Sequence, residues 1–193
     1  MKNYKLKLIH ATFIIAAVMV VVSCMSKKPE DTKEVAEEQN EQKFEDEKNE
    51  KDAQFLVDAA EISREEISLG QLAQQKGSKD HLIELGKMME EGHTKSLADL
   101  TAIAKIKNIS LPSSETEDGI KAYKKLDEKS GIDFVREYCD MMVNGHKKAI
   151  ALFENASIEC TDPDIKAWAI ATLPTLRKHL DHSMVCLKEF EKK

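Results

Sequence analysis

The side chains in this sequence best suited to chemistry are three histidines and a glutamate. Two of the histidines end copies of one hexapeptide. Met88-Met89-Glu90-Glu91-Gly92-His93 returns, 53 residues later, as Met141-Met142-Val143-Asn144-Gly145-His146. The echo continues through Lys95/Lys148, Leu97/Ile150, Ala98/Ala151 and Leu100/Phe153. His179 and Glu66 complete the set. Neutral imidazole and carboxylate are ligands for zinc, copper, nickel or iron. Each of the four falls on an apolar stripe, where a polar group costs free energy unless something satisfies it.

The elements that must position them are helices. Phe55, Ala59, Ile62, Glu66, Leu69 and Ala73 repeat at three and four, which predicts a first long helix over about 52–76. Gly77 stops it and Ser78 can cap the next. A second, over about 79–107, turns Leu82, Leu85, Met89, His93, Leu97, Leu100 and Ala104 inward. After Leu111-Pro112, Ser114 and Glu117 form a capping-box pattern for a short helix bearing Ile120, Tyr123 and Leu126. A third long helix, about 132–158, carries Val135, Tyr138, Met142, His146, Ala149, Phe153 and Ala156. Asp162-Pro163 starts the fourth, which runs to about 191. Its stripe is the least clean, because Thr172 and Ser183 interrupt it, and Pro174 should bend it one turn before His179. The expected fold is all-α, a four-helix bundle with a short extra helix in the long connection between the second and third long helices.

Glu66, His93, His146 and His179 each stand about fourteen to seventeen residues from their helix start. At 1.5 Å per residue all four lie within roughly 5 Å of one level, whichever way the helices run. Bundles build metal sites in this way. Two readings stay open: a single transition-metal ion (Zn, Cu, Ni or Fe), or a buried polar network that only fixes helix register. Glu90, three before His93, and His182, three after His179, are second-tier ligand candidates. Glu65 points about 100° away from Glu66. Core packing explains Met88, Met89, Met141 and Met142 at helical spacing.

The chain has 193 residues, 33% of them charged, 5% aromatic, with four Pro and seven Gly, a composition that favours helix. Net charge is -6. The first 23 residues hold three Lys and no acid, leaving 26 basic against 35 acidic residues, or -9, beyond them. That argues against nucleic acid as a partner. Lys2, Lys5 and Lys7 precede an apolar run, Ala11 to Val22, that ends Val21-Val22-Ser23-Cys24. This is similar to the lipobox of bacterial lipoproteins. The resemblance implies a signal peptide over 1–23, acylation of Cys24, and a membrane anchor in the cell envelope, with the protein facing the periplasm or the surface, most simply at the outer membrane. Residues 24–52 follow as a charged, flexible tether, eleven acidic and six basic residues lying between 25 and 52, the rival reading being a charged helical stalk whose last part extends the first long helix. The bundle is expected over 53–193.

Cys139, Cys160 and Cys186 remain. Counted from a turn near 160, Cys139 and Cys186 are about 21 and 26 residues away, so a bridge needs a shift of over a turn. Buried free thiols are expected.

Phe55-Leu56 with Ala59-Ala60, Glu66-Ile67, Leu69-Gly70-Gln71-Leu72-Ala73, Met89 with His93, Leu111-Pro112, Gly131 with Phe134, His146, and Leu173-Pro174-Thr175-Leu176 with His179-Leu180 together carry a resemblance. Over roughly 53–187 the sequence resembles the ferritin-like, exported bacterial proteins known only as a domain of unknown function and sometimes described as outer membrane proteins. The resemblance implies a ferritin-like four-helix fold and no settled activity. Members usually carry an Asp just before the histidine of the second long helix, where this chain has Gly92. Only Glu90-x-x-His93 has the carboxylate–histidine spacing of di-iron proteins, since Val143 and Leu176 stand three before His146 and His179. Carboxylates are too few for a di-iron oxidase. The residues therefore favour a binding protein, or a structural or interaction lipoprotein, over an enzyme, and name no protein partner.

Overall fold

Why do two helical hairpins with polar residues in their stripes hold together? The computed structural model describes residues 30–77 and 79–191. The signal segment, the lipidation candidate Cys24 and the expected cap Ser78 lie outside the described residues. Among the described residues there are six helices: α1 Thr32–Glu41, α2 Glu47–Lys76, α3 Asp80–Lys107, α4 Glu117–Asp127, α5 Gly131–Glu159 and α6 Pro163–Glu191. There is no strand among the described residues, and no helix there is long and apolar enough to cross a membrane.

Local chemistry sets the boundaries. Asp46 accepts hydrogen bonds from the backbone N–H groups of Lys48 and Asn49 and starts α2. Asn108 closes α3 in the left-handed region at φ 57°, where a short amide side chain is tolerated. Gly131 opens α5 at φ 56°, a conformation strained for any side chain. Asp162 caps α6 through the N–H groups of Asp164 and Ile165, with Pro163 at the first helical position. The short helix starts at Glu117, and its cap is Thr116, whose hydroxyl accepts from Gly119 N–H, rather than Ser114. α6 continues as helix through Pro174.

Short connections lay α2 beside α3 and α5 beside α6, and contacts of α2 with α5 and of α3 with α6 join the two pairs. α4 packs on α2 and α5. The apolar core is split in two. One cluster gathers Phe55, Leu56, Leu100, Phe153, Trp168 and Leu176. The other gathers Leu69, Leu82, Met89, Phe134, Tyr138 and Met142. Glu66, His93, His146 and His179 lie between them, all buried. The interruptions of the α6 stripe are locally satisfied: Ser183 donates to His179 C=O and Thr172 to Trp168 C=O, each four residues back.

The charged stretch expected as a flexible tether is structured from Thr32 on. α1 buries little beyond Ala36 and Asn40 and is held mainly by polar contacts. Asn40 exchanges two hydrogen bonds with the backbone of Ser110, at 2.9 and 2.7 Å. Lys33 pairs with Asp58 and Glu61 on α2. α2 itself begins five residues before the predicted start, and the buried Asp52 in its second turn accepts from Thr161 N–H, Thr161 O–H and Asp162 N–H, tying α2 to the α5–α6 turn. These partners are remote in sequence, which is why charge density alone misread the segment.

Candidate metal centre

Met142 C=O lies 2.8 Å from His146 Nδ1. A carbonyl only accepts, so Nδ1 carries the proton and Nε2 presents a bare lone pair. That lone pair points into the polar layer. His93 Nε2 is 3.3 Å from His146 Nε2, and His179 Nδ1 is 3.3 Å from the same atom. The three histidines, one each from α3, α5 and α6, form the group of potential ligands whose donor atoms all lie within 4.8 Å of one another. A tetrahedral ion with metal–nitrogen bonds of about 2.0–2.1 Å holds its ligand nitrogens about 3.3–3.4 Å apart.

All three rings are neutral at neutral pH, the form that binds metal. Burial, with the neighbouring His146 and His179, holds His93 well below the usual imidazole range. Burial pushes His146 down to about 4 in spite of its bond to Met142, and burial with His146, Lys178 and His182 pushes His179 to about 3.

The repeated Gly-His motif has a steric purpose that spacing alone does not reveal. A Cβ on Gly92 would stand 2.4 Å from His179 Cε1, and a Cβ on Gly145 would stand 2.9 Å from Glu66 Oε1. Each glycine, one position before a ligand candidate, makes room for a polar group from a neighbouring helix. At position 92 the His179 ring occupies the space that a side chain would need.

Glu66 does not stand at a fourth corner beside the three nitrogens. Its Oε1 is 3.8 Å from His146 Nδ1, the edge of the ring facing away from His93 and His179. The contact is not an ion pair, because His146 is held neutral and burial, with Glu65 beside it, raises the Glu66 carboxyl well above its ordinary 4.5. Glu66 Oε2 and the Tyr138 hydroxyl are buried with no hydrogen-bond partner among the described residues. Burial and Glu66 raise the Tyr138 phenol further. The second-tier candidates point elsewhere. Glu90 accepts from Gln71 and Gln74, and His182 is exposed.

A pH-dependent cost follows. The folded protein keeps the Glu66 proton above the pH at which the unfolded chain loses it, so unfolding releases that proton and the contribution of Glu66 to stability falls as pH rises above about 4.5, until the folded carboxyl itself ionises. Glu66→Gln removes this term. In metal-free protein its stability relative to wild type is expected to climb by about 1.4 kcal/mol per pH unit above that point, levelling off once the folded carboxyl ionises. Urea unfolding of both proteins at several pH values checks it, and a pH-independent gap is the contrary result.

The cysteines depart from expectation. Cys139 and Cys186 are joined by a disulfide, with Cα atoms 6.0 Å apart, while Cys160 is a buried free thiol. The turn centres nearer 161–162 than 160, since α5 ends at Glu159 and α6 begins at Pro163. More tellingly, Cys139 is seven residues before His146 and Cys186 seven after His179, two turns along the same stripes. The register that brings the histidines together brings the cysteines together as well.

No curated protein and no solved structure matches this chain. Residues 37–185, which span α2 to α5, most of α6 and every residue of the histidine cluster, match the family model described as a domain of unknown function (DUF4142), and the chain belongs to that family.

Proposed function

We propose that this protein is a lipid-anchored envelope protein whose four long helices form a ferritin-like four-helix bundle that binds one transition-metal ion through His93, His146 and His179. The observation that carries the metal reading is the pair of 3.3 Å contacts converging on His146 Nε2. That single lone pair can accept one N–H along its axis, so a purely hydrogen-bonded cluster leaves one of the two contacts poorly made. A metal ion uses all three lone pairs at once. Three neutral imidazoles suit zinc, copper, nickel or iron, and the Met142 carbonyl orients His146 through Nδ1, with Glu66 behind the ring rather than ligating. The anchor rests on the signal-like residues 2–23 and Cys24.

One preparation tests both parts. Full chain extracted from the membrane fraction without chelator is expected to carry acyl mass on Cys24 and, after loading and dialysis, about one ion per chain, lost in His146→Ala. A soluble chain without added mass overturns the anchor. Absence of stoichiometric uptake of all four metals overturns the metal reading and leaves the cluster as a polar network that fixes register.

A further inference from the structure

All three histidines are almost fully enclosed, His93 and His179 at 3% exposure, but they face different surroundings. His146 is 1% exposed and forms the back wall, its Nδ1 tied to Met142, with Glu66 behind it. His93 and His179 instead line a groove of about 220 Å³ between α3 and α6. Its other walls include Ser96, Thr172, Thr175 and Trp168. Ser96 is one turn after His93, and Thr175 is one turn before His179. The α3/α6 groove is therefore the surface feature that His93 and His179 both border.

An ion held by three nitrogens in a tetrahedral site keeps a fourth position. Among the described residues no further His, Cys, Asp or Glu joins the group. Glu66 sits against the wrong edge of the His146 ring to reach an ion at Nε2. We propose that the fourth coordination position opens into the α3/α6 groove and takes a small exogenous ligand, a water, hydroxide or monovalent anion with an oxygen or nitrogen donor. This rests on the metal reading above.

The groove suits that class of ligand. At ~30 Å³ per water-sized group it holds a handful of such ligands and no large substrate. Thr172 gives its hydroxyl proton to Trp168 C=O, which leaves its oxygen free to accept from a bound water. Lys95 and Asp99, both on the groove wall, pair at 2.6 Å, so this charge pair does not strongly favour either sign of ligand.

The test loads the full chain with Co(II) and follows its visible absorption while inorganic azide is added. Expected is a Co(II) spectrum that azide shifts to saturation at one site. Thr175→Trp, at an exposed position on the groove wall, is expected to keep the Co(II) spectrum and weaken azide at least about tenfold. Failure to bind Co(II) overturns the metal reading and this proposal with it. Bound Co(II) with a spectrum indifferent to azide overturns this proposal alone. Wild-type azide affinity in Thr175→Trp overturns the groove as the route.

Discussion

Gly92→Ala is expected to lower metal affinity about 10–100-fold while the protein stays folded. The added Cβ would lie 2.4 Å from His179 Cε1 and 2.8 Å from its Nε2. No contact that short is tolerated, so the ring must swing, and the atom it carries away is the Nδ1 that faces His146. The α3 backbone does not suffer, because alanine in place of glycine within a helix favours the helix by up to about 1 kcal/mol. The loss is thus specific to the site, although no ligand has been replaced. Gly145→Ala is the control: its Cβ meets only the tip of the flexible Glu66 side chain, at 2.9 Å and on the far side of His146. Competition against a chromophoric chelator reads both. Wild-type affinity in Gly92→Ala would mean that His179 is not a ligand.

Opening the Cys139–Cys186 bridge is the change expected to weaken the fold most. It joins α5 to α6 across 47 residues. Closing a loop of that size restricts the unfolded chain and stabilises the fold by about 4 kcal/mol in the chain-entropy account. The Cys139→Ala/Cys186→Ala double variant should therefore unfold at a urea midpoint about 2 M lower, for an m-value near 2 kcal/mol/M. Alanine is chosen because both positions are fully buried among apolar side chains. The bridge lies two turns beyond His146 and His179, so the variant also reports whether the α5–α6 register holds without it: metal stoichiometry should survive, since helix packing against Phe153, Trp168 and Leu176 is independent of the bridge. Coincident unfolding curves for the variant and the oxidised protein would show that the sulfurs are not bonded in solution.

Much of this was legible in the chain. The helix spans of α3, α5 and α6 follow from periodicity and from Asp162-Pro163, and the inward placement of Glu66, His93, His146 and His179 follows from their stripes. What failed did so for identifiable reasons. Charge density reads α1 as a tether because its partners, Ser110, Asp58 and Glu61, are distant in sequence and its hold is polar rather than apolar. Counting from the turn argues against the disulfide, because an error of one or two residues in the turn centre doubles in the apparent offset. Counting outward from the two histidines, seven residues each way, places the two cysteines at one level.

The sequence by itself determined that the chain is helical, where its long helices lie, and which polar side chains turn inward, because a 3.6-residue repeat is local information carried along one strand of chain. Only the tertiary structure decided which atoms meet. The Glu66 carboxyl fell behind His146 instead of beside the other ligand candidates, and the Met142 carbonyl chose which imidazole nitrogen stays bare. The missing side chains of Gly92 and Gly145 admitted groups from neighbouring helices. These outcomes depend on the rotation and stagger of one helix against another, and a stripe of residues specifies the face of a helix but not the atom on that face that its neighbour will touch.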